Sequence, residues 1–304
     1  MAQTHPTDSH PTGINIGRVG VWTALLDLRP TTEVRGAVAE LDSQGWGALW
    51  RPESSGRDAL ISASIWLDAC PRMAVATGIA QTYARHPMTT MQASRTLDEA
   101  HPGRFLLGLG VSHAPMVEGV RGLDYSRPLT DMSNYLDAMD AAPYQANGPD
   151  GRPPRILAAL GPKMLDLSAE KADGAHPYFT IAEHTATARA AIGPDKFLAP
   201  EQMLVLETDP QRARRIARDN MSRYLSLPNY TNNLKRMGFT DEDISSVSDR
   251  LVDAIVPWGS VETVAARVQE HFDAGADHVC VQALTESPDH LPIQEWAALA
   301  EALV

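Results

Sequence analysis

The chain has 304 residues, 43% hydrophobic and 21% charged, with a formal net charge of -12. That length and mix suit one large or two small soluble α/β domains with a full core, and no apolar run reaches the roughly 18 residues that a membrane helix needs. The acidic balance argues against nucleic acid, whose phosphates it would repel, so a small molecule is the expected partner.

The first 17 residues, MAQTHPTDSHPTGINIG, are polar and lack the basic start and apolar middle of a signal peptide. A flexible N-terminal tail and a cytoplasmic protein are therefore expected. Residues 18–25 read as a buried strand. Thr31 and Thr32 offer N-caps for a helix whose Val34, Ala37, Val38 and Leu41 share one face, ended by Gly45. A short strand at 48–51 precedes the loop Pro52-Glu53-Ser54-Ser55-Gly56 and a helix over 58–69. A third strand over 73–79 leads to a helix over 87–100, with Pro87 in the opening turn where its missing N–H costs nothing.

Further strands are expected at 104–109, 155–159, 174–179, 202–207 and 278–282. Between them lie helices near 129–141, 162–171, 182–191, 210–224 and after Ser260, with a last helix over 293–303. Residues 228–256 read as a helical insertion near the seventh and eighth units. Eight strand–helix alternations without an internal break predict one (β/α)8 TIM barrel over 18–304, with a doubly wound sheet as the alternative. Cys70 and Cys280 stand far apart among apolar neighbours and read as buried thiols.

Function in such a barrel sits at the C-terminal strand ends. There Gly108-Leu109-Gly110 begins like a dinucleotide fingerprint, but His113 replaces the third glycine. The small residues let a flat ligand approach the backbone, or they serve barrel packing. Ala159-Leu160-Gly161-Pro162-Lys163 is a strand end, a turn and a helix start, where free N–H groups, the helix dipole and Lys163 suit a phosphate; an ordinary turn with Lys163 in water is the plainer reading. Arg85 and His86 precede a helix and could meet an anionic tail or only solvent. His113, His176 and Glu53 lie at strand ends, each with a structural reading beside a catalytic one. HxH, HExxH, GxSxG and P-loop patterns are absent, and a metal-assisted barrel lacks its carboxylate/His cluster.

Four stretches carry a resemblance: TGIAQTYARHP (77–87), GRFLLGLGVSH (103–113), ILAALGPKMLDLSAEKADGAHPY (156–178) and DAGADHVCVQ (273–282). Together, in this order, they resemble the luciferase-like monooxygenase superfamily, and more closely its actinobacterial branch that uses coenzyme F420. The resemblance implies a ring lying across the C-terminal mouth, backed by a non-prolyl cis peptide at Gly78 and Ile79. Gly110, Val111, Ser112 and His113 would then run along the ring or ribityl chain, and residues 159–163 would hold the phosphate. Arg51, Arg85 and His86 are candidates for the lactyl-oligoglutamate tail. Trp22 and Ser54 complete the cofactor set; Trp22 and Trp50 could also wall the substrate or belong to the core.

Relatives often have an acidic residue followed by His where this chain has Glu53 and Ser54. Ser54 thus departs from the pattern, and His113 stands where some relatives have Glu. Candidate proton donors are His113, His176, Glu53 and Tyr178, in that order. The expected reaction moves a hydride between F420 and a small organic substrate, with Tyr230, Asn232 and Asn233 of the insertion at the rim. The alternatives are an FMN-dependent monooxygenase and a non-catalytic cofactor-binding barrel. Dimerisation through barrel helices is implied by the resemblance.

Overall fold

The computed structural model describes residues 12–148 and 150–304. Its strands are β1 (Val19–Trp22), β2 (Ala48–Arg51), β3 (Ala74–Thr77), β4 (Ala80–Gln81), β5 (Phe105–Gly110), β6 (Arg155–Leu157), β7 (Gly174–Ala175), β8 (Phe197–Leu198), β9 (Glu201–Leu204) and β10 (Val279–Ala283). All neighbours pair in parallel, in the order β8-β7-β6-β5-β3-β2-β1-β10-β9, with β4 on β5.

Side chains alternate across this sheet with a period of two and so divide the core into two layers. Val19, Val21, Leu49, Val75, Leu107, Val279 and Val281 belong to the outer layer, packed against the helices. Trp22, Trp50, Ala76, Leu106, Ile156, Met203 and Cys280 belong to the inner one. β8 and β9 are halves of one strand interrupted at Ala199 and Pro200, since proline brings no N–H to the ladder. β8 pairs with β7 and β9 with β10, and bonds from Ala199 N to Ala175 O (3.0 Å) and from Cys280 N to Pro200 O (2.9 Å) carry the ladder across the gap. The ring closes there as a TIM barrel.

The helices follow the strands in turn. They are α1 (Thr31–Ser43), α2 (Ala59–Ala69), α3 (Pro87–Ala100), α4 (Pro128–Asp140), α5 (Pro162–Lys171), α6 (Ala182–Ile192) and α7 (Pro210–Leu225). An insertion of three helices comes next: α8 (Pro228–Arg236), α9 (Asp241–Ser246) and α10 (Asp249–Ile255). The chain finishes with α11 (Val261–Asp273), α12 (Ile293–Leu303) and β10 between them. Tyr230, Leu234, Leu251, Val252 and Ile255 bury the insertion's apolar face on the same cluster as the inner layer. Among the described residues no helix is long and apolar enough to cross a membrane.

Several boundaries differ from the sequence expectation. The strand expected over 18–25 stops at Trp22, and Leu25–Leu28 forms a 3-10 turn. The strand expected over 174–179 ends at Ala175, because Pro177 follows and Phe179 adopts a positive φ of 61°. Residues 1–11 of the expected tail lie outside the described residues. Within its remainder Ile14 and Ile16 are buried at 3% and 0%, so the packed chain begins before Arg18. Cys70 and Cys280 are both free thiols and fully buried.

Candidate active site

The C-terminal mouth encloses a cavity of about 710 Å³. Its floor begins where β3 gives way to β4. The register moves from Val75 opposite Phe105 to Ala80 opposite Leu109, so the β3–β4 stretch carries one extra residue, a bulge. The Gly78–Ile79 peptide within it is cis. Thr77 Oγ1 replaces the interrupted ladder bonds, accepting from Gly108 N (2.8 Å) and donating to Gly108 O (2.7 Å). A Cβ on Gly108 would lie 1.9 Å from Thr77 O, so that glycine serves the packing of the bulge. Gly110 differs: it lines the cavity, and its missing Cβ leaves room for the Ile79 side chain.

Beyond Gly110, Val111, Ser112 and His113 form one wall. Ser112 has a positive φ of 59°, and the Tyr125 hydroxyl donates to its carbonyl at 2.8 Å, holding the turn. His113 is half-buried beside Asn229, with its ring 5.4 Å from that of Tyr230. Burial lowers its pKa against the opposing hydrogen bond to Asn229, which favours the neutral imidazole.

His176 lies deeper, stacked on Trp50 with centroids 4.7 Å apart. Its Nδ1–H donates to Ala199 O at 2.6 Å, so Nε2 carries the lone pair, and Nε2 has no partner among the described residues. Burial lowers its pKa to about 4. His176 is thus a hydrogen-bond acceptor at neutral pH, and its expected role as proton donor does not fit: the one N–H is already spent on a carbonyl. Trp22 donates from Nε1 to Gly78 O at 3.0 Å and packs 5.0 Å from Tyr178. The Tyr178 hydroxyl donates to Gln282 Oε1 (2.9 Å) and shares a 2.6 Å bond with the Tyr224 hydroxyl. Trp22, Tyr178, Tyr224 and Tyr230 make an aromatic wall, with Trp50 behind it in the core at 0% exposure.

Glu53 lines the opposite side, yet it is fully engaged. Oε1 accepts from Ala59 N (3.0 Å), Oε2 from Gln81 N (2.8 Å), and both meet the Arg85 guanidinium. A carboxylate with four donors has no free lone pair for substrate, so its expected acid/base role is not supported by this geometry. Ser54 stands exposed at the rim.

The far end of the cavity is the turn before α5. Ala159, Leu160, Gly161, Pro162 and Lys163 all face it. Gly161 is the N-cap and brings no capping side chain, and Pro162 takes the first helical position. Pro162 has no N–H and Met164 N already bonds Gly161 O at 3.1 Å, so the turn offers a phosphate the backbone N–H of Lys163 together with the positive end of the helix dipole. Lys163 is exposed there.

Three expected contacts fall elsewhere. Arg85 does not line the cavity; it pairs with Glu53 and Asp58 (2.7 Å), which raises its pKa. His86 caps α3, its Nδ1 accepting from Met88 N at 3.3 Å. Arg51 is 1% exposed and pairs with Asp27 at 2.8 Å. The sequence put Arg51 at a strand end and Arg85 and His86 before a helix, but nearby carboxylates or helix donors claimed them. Conversely, sequence reading missed Tyr125, Tyr224, Gln282, Arg236 and the buried Glu201. Glu201 and Gln282 sit in short apolar strands at inward alternation, a signal that was available; Tyr125, Tyr224 and Arg236 reach the site only through long connections.

A flat tricyclic ring and a ribityl phosphate fit this donor set. The bulge and Ile79 back a ring, Gly110 lets it approach the backbone, bare His176 Nε2 lies under Gly78, and the α5 turn takes the phosphate. Among the described residues no group of three His, Cys, Asp or Glu is placed to hold a metal ion.

Comparison with known proteins agrees. A protein of Mycobacterium tuberculosis named as a coenzyme F420-dependent oxidoreductase is 29% identical over 198 residues, so the match spans 55% of this chain and 56% of that relative. An F420-dependent secondary alcohol dehydrogenase, solved with an F420–acetone adduct, superposes with a TM-score of 0.75 at 12% identity over 94% of this chain and 98% of its own. The oxygenating constituent of 3,6-diketocamphane monooxygenase of Pseudomonas putida, solved with FMN, gives 0.71 at 14% over 93% and 95%. These two likenesses establish the fold. The family model for luciferase-like monooxygenase matches residues 18–278, and the chain belongs to that family.

Proposed function

We propose that this chain is an F420-dependent oxidoreductase that moves a hydride between the deazaflavin and a small, uncharged organic substrate. The observation that carries it is the shape of one cavity: a cis-peptide bulge at Gly78–Ile79 on its floor and an uncapped helix start at Gly161 at its far end. When bound, F420 supplies the hydride acceptor or donor carbon. The chain supplies orientation, a water-poor wall and a proton. Trp22, Tyr178, Tyr224 and Tyr230 leave an apolar space on the substrate side, with Glu53 neutralised by Arg85. His113, half-buried at the open wall, is the group best placed to give or take the substrate proton through a ring nitrogen. Burial keeps the Tyr178 hydroxyl protonated, but its one O–H is already donated to Gln282, so it serves as part of the wall and not as the proton donor first expected of it.

FMN-dependent oxygenation is the second reading, and one observation favours it. Arg51, Arg85 and His86, the cations expected for the F420 tail, are committed elsewhere, and FMN has no such tail. Equilibrium binding of F420 and FMN, followed by absorbance and fluorescence, tests the two. Tighter F420 binding supports the hydride-transfer reading; tighter FMN binding moves the protein to the oxygen-using enzymes. Binding of neither by a folded sample overturns both.

A further inference from the structure

The helical insertion contributes one residue to the end of the cavity where the phosphate is placed. Arg236, the last residue of α8, lines that end, and a Cβ on Gly161 would stand 3.6–3.8 Å from its guanidinium atoms. Most cations of α7 and the insertion are ion-paired, Arg223, which bonds Asn220, being an exception. Arg212, Arg214, Arg215 and Arg218 of α7, and Lys235 and Arg250 of the insertion, each pair with a carboxylate at 3.2 Å or closer. Arg236 has no carboxylate within ion-pair distance among the described residues; its contact is a 3.4 Å bond from Nη1 to Asn233 Oδ1. Lys163 has no ion pair among them either.

Two cations and the positive end of a helix dipole therefore converge on one turn, in a chain with a net charge of -12. Like charges gathered without a counter-ion repel one another, and an anion between them adds an attraction to each cation and to the helix start that outweighs that repulsion. The Arg236 guanidinium can also offer two parallel N–H donors to phosphate oxygens, which Lys163 cannot.

We propose that Arg236 is a phosphate clamp: the insertion lays it across the α5 turn, so that Gly161, Lys163 and Arg236 hold the cofactor's phosphate from two sides. This rests on the cofactor reading above and adds a residue from outside the eight barrel units. It gives the insertion a part in cofactor affinity beyond roofing the substrate.

The test compares ligands that differ by the phosphate alone: riboflavin with FMN, and the deazaflavin alcohol with its 5′-phosphate. Binding is titrated for the wild-type chain, Arg236→Gln, Arg236→Lys and Lys163→Gln, at low and high salt. Arg236 is exposed, and matching unfolding midpoints verify that each variant is folded. The expected result is a roughly 10–100-fold loss of affinity for the phosphorylated ligands in Arg236→Gln, a change under about 2-fold for the phosphate-free ones, partial recovery in Arg236→Lys and a flatter salt dependence. If the wild type prefers the phosphorylated ligand and Arg236→Gln keeps that preference, the clamp is overturned while the phosphate site stands. If the wild type binds both members of each pair equally, or binds neither, the placement of the phosphate itself fails, and the clamp with it.

Discussion

Two buried carboxyls in this barrel meet opposite fates. Glu53, at the end of β2, is 8% exposed and receives two backbone N–H groups and a guanidinium. Glu201, at the start of β9, is 1% exposed; Phe179 N reaches its Oε2 at 3.3 Å, and Oε1 has no partner among the described residues. Burial pushes the Glu201 carboxyl up to about 8, with only the Phe179 bond opposing. Glu53 is thus an ionised strut that ties β2 to β4 and α2, whereas Glu201 is a proton-bearing acid at neutral pH beneath the aromatic wall. A buried acid is charged only where donors surround it, and neither its type nor its place in a strand decides that.

The most severe way to break this contrast is to take the strut's cation away. Arg85→Ala leaves the buried Glu53 without its guanidinium, Asp58 being exposed and able to turn to water, and a loss of about 3 kcal/mol of unfolding free energy is expected. Denaturant unfolding measures it. The double variant Arg85→Ala/Glu53→Gln should recover part of the loss; full additivity would mean that the two side chains are not coupled.

An effect of comparable size, read as a pH dependence, belongs to Glu201→Gln. The folded-state pKa lies above the unfolded one, so the folded chain binds the extra proton. Stability from this group is fully present below about 4.5 and is lost as the pH rises towards 8. Glutamine has no such linkage. Between pH 5 and pH 8, Glu201→Gln should therefore gain about 3–4 kcal/mol of stability relative to the wild type. His176 works in the opposite direction, contributing above pH 6.5 and losing that contribution as the pH falls to about 4, but it is common to both chains and cancels in the comparison. A pH-independent gap would show that Glu201 is ionised like Glu53.

The smallest effect is expected at the neutral group above Glu201. Tyr178→Phe deprives Gln282 of a donor and Tyr224 of its partner, and about 1–2 kcal/mol should be lost in thermal or denaturant unfolding. Unlike the Glu201 variant, it should show no pH dependence between 5 and 8. A dependence there would mean that the Tyr178 hydroxyl and the Glu201 carboxyl titrate together.

Much of the scaffold was legible because it is written in local periodicity. β2, α3 and α12 fall where the pattern places them, and the alternation of Val, Leu and Ala in the strands sorts the two layers. The Gly78–Ile79 peptide was legible through resemblance to a family, which no local pattern supplies. The interrupted strand at 197–204 was half-hidden because Ala199 and Pro200 divide it into pieces too short to show a period. Arg51, at a strand end, and Arg85 and His86, just before a helix, were read as candidates for an anionic cofactor tail because the resemblance implies cations at the rim. Asp27, Glu53 and Asp58, and the free N–H of Met88, were the competitors that tertiary contacts brought within reach.

From the sequence alone come the barrel, the mouth at its C-terminal strand ends, the insertion and the glycines at 78, 110 and 161. Apart from the role of Gly78, which came from the family resemblance, these follow from spacing, backbone freedom and apolar pattern, which are properties of neighbours in the chain. The tertiary structure decided which charges are spent and which are left over: Glu53 and Arg85 cancel, Glu201 keeps its proton, and Lys163 and Arg236, 73 residues apart in the chain, line one cavity with no ion pair among the described residues. Electrostatic energy depends on distance in space and on burial, and neither is set until the chain has folded.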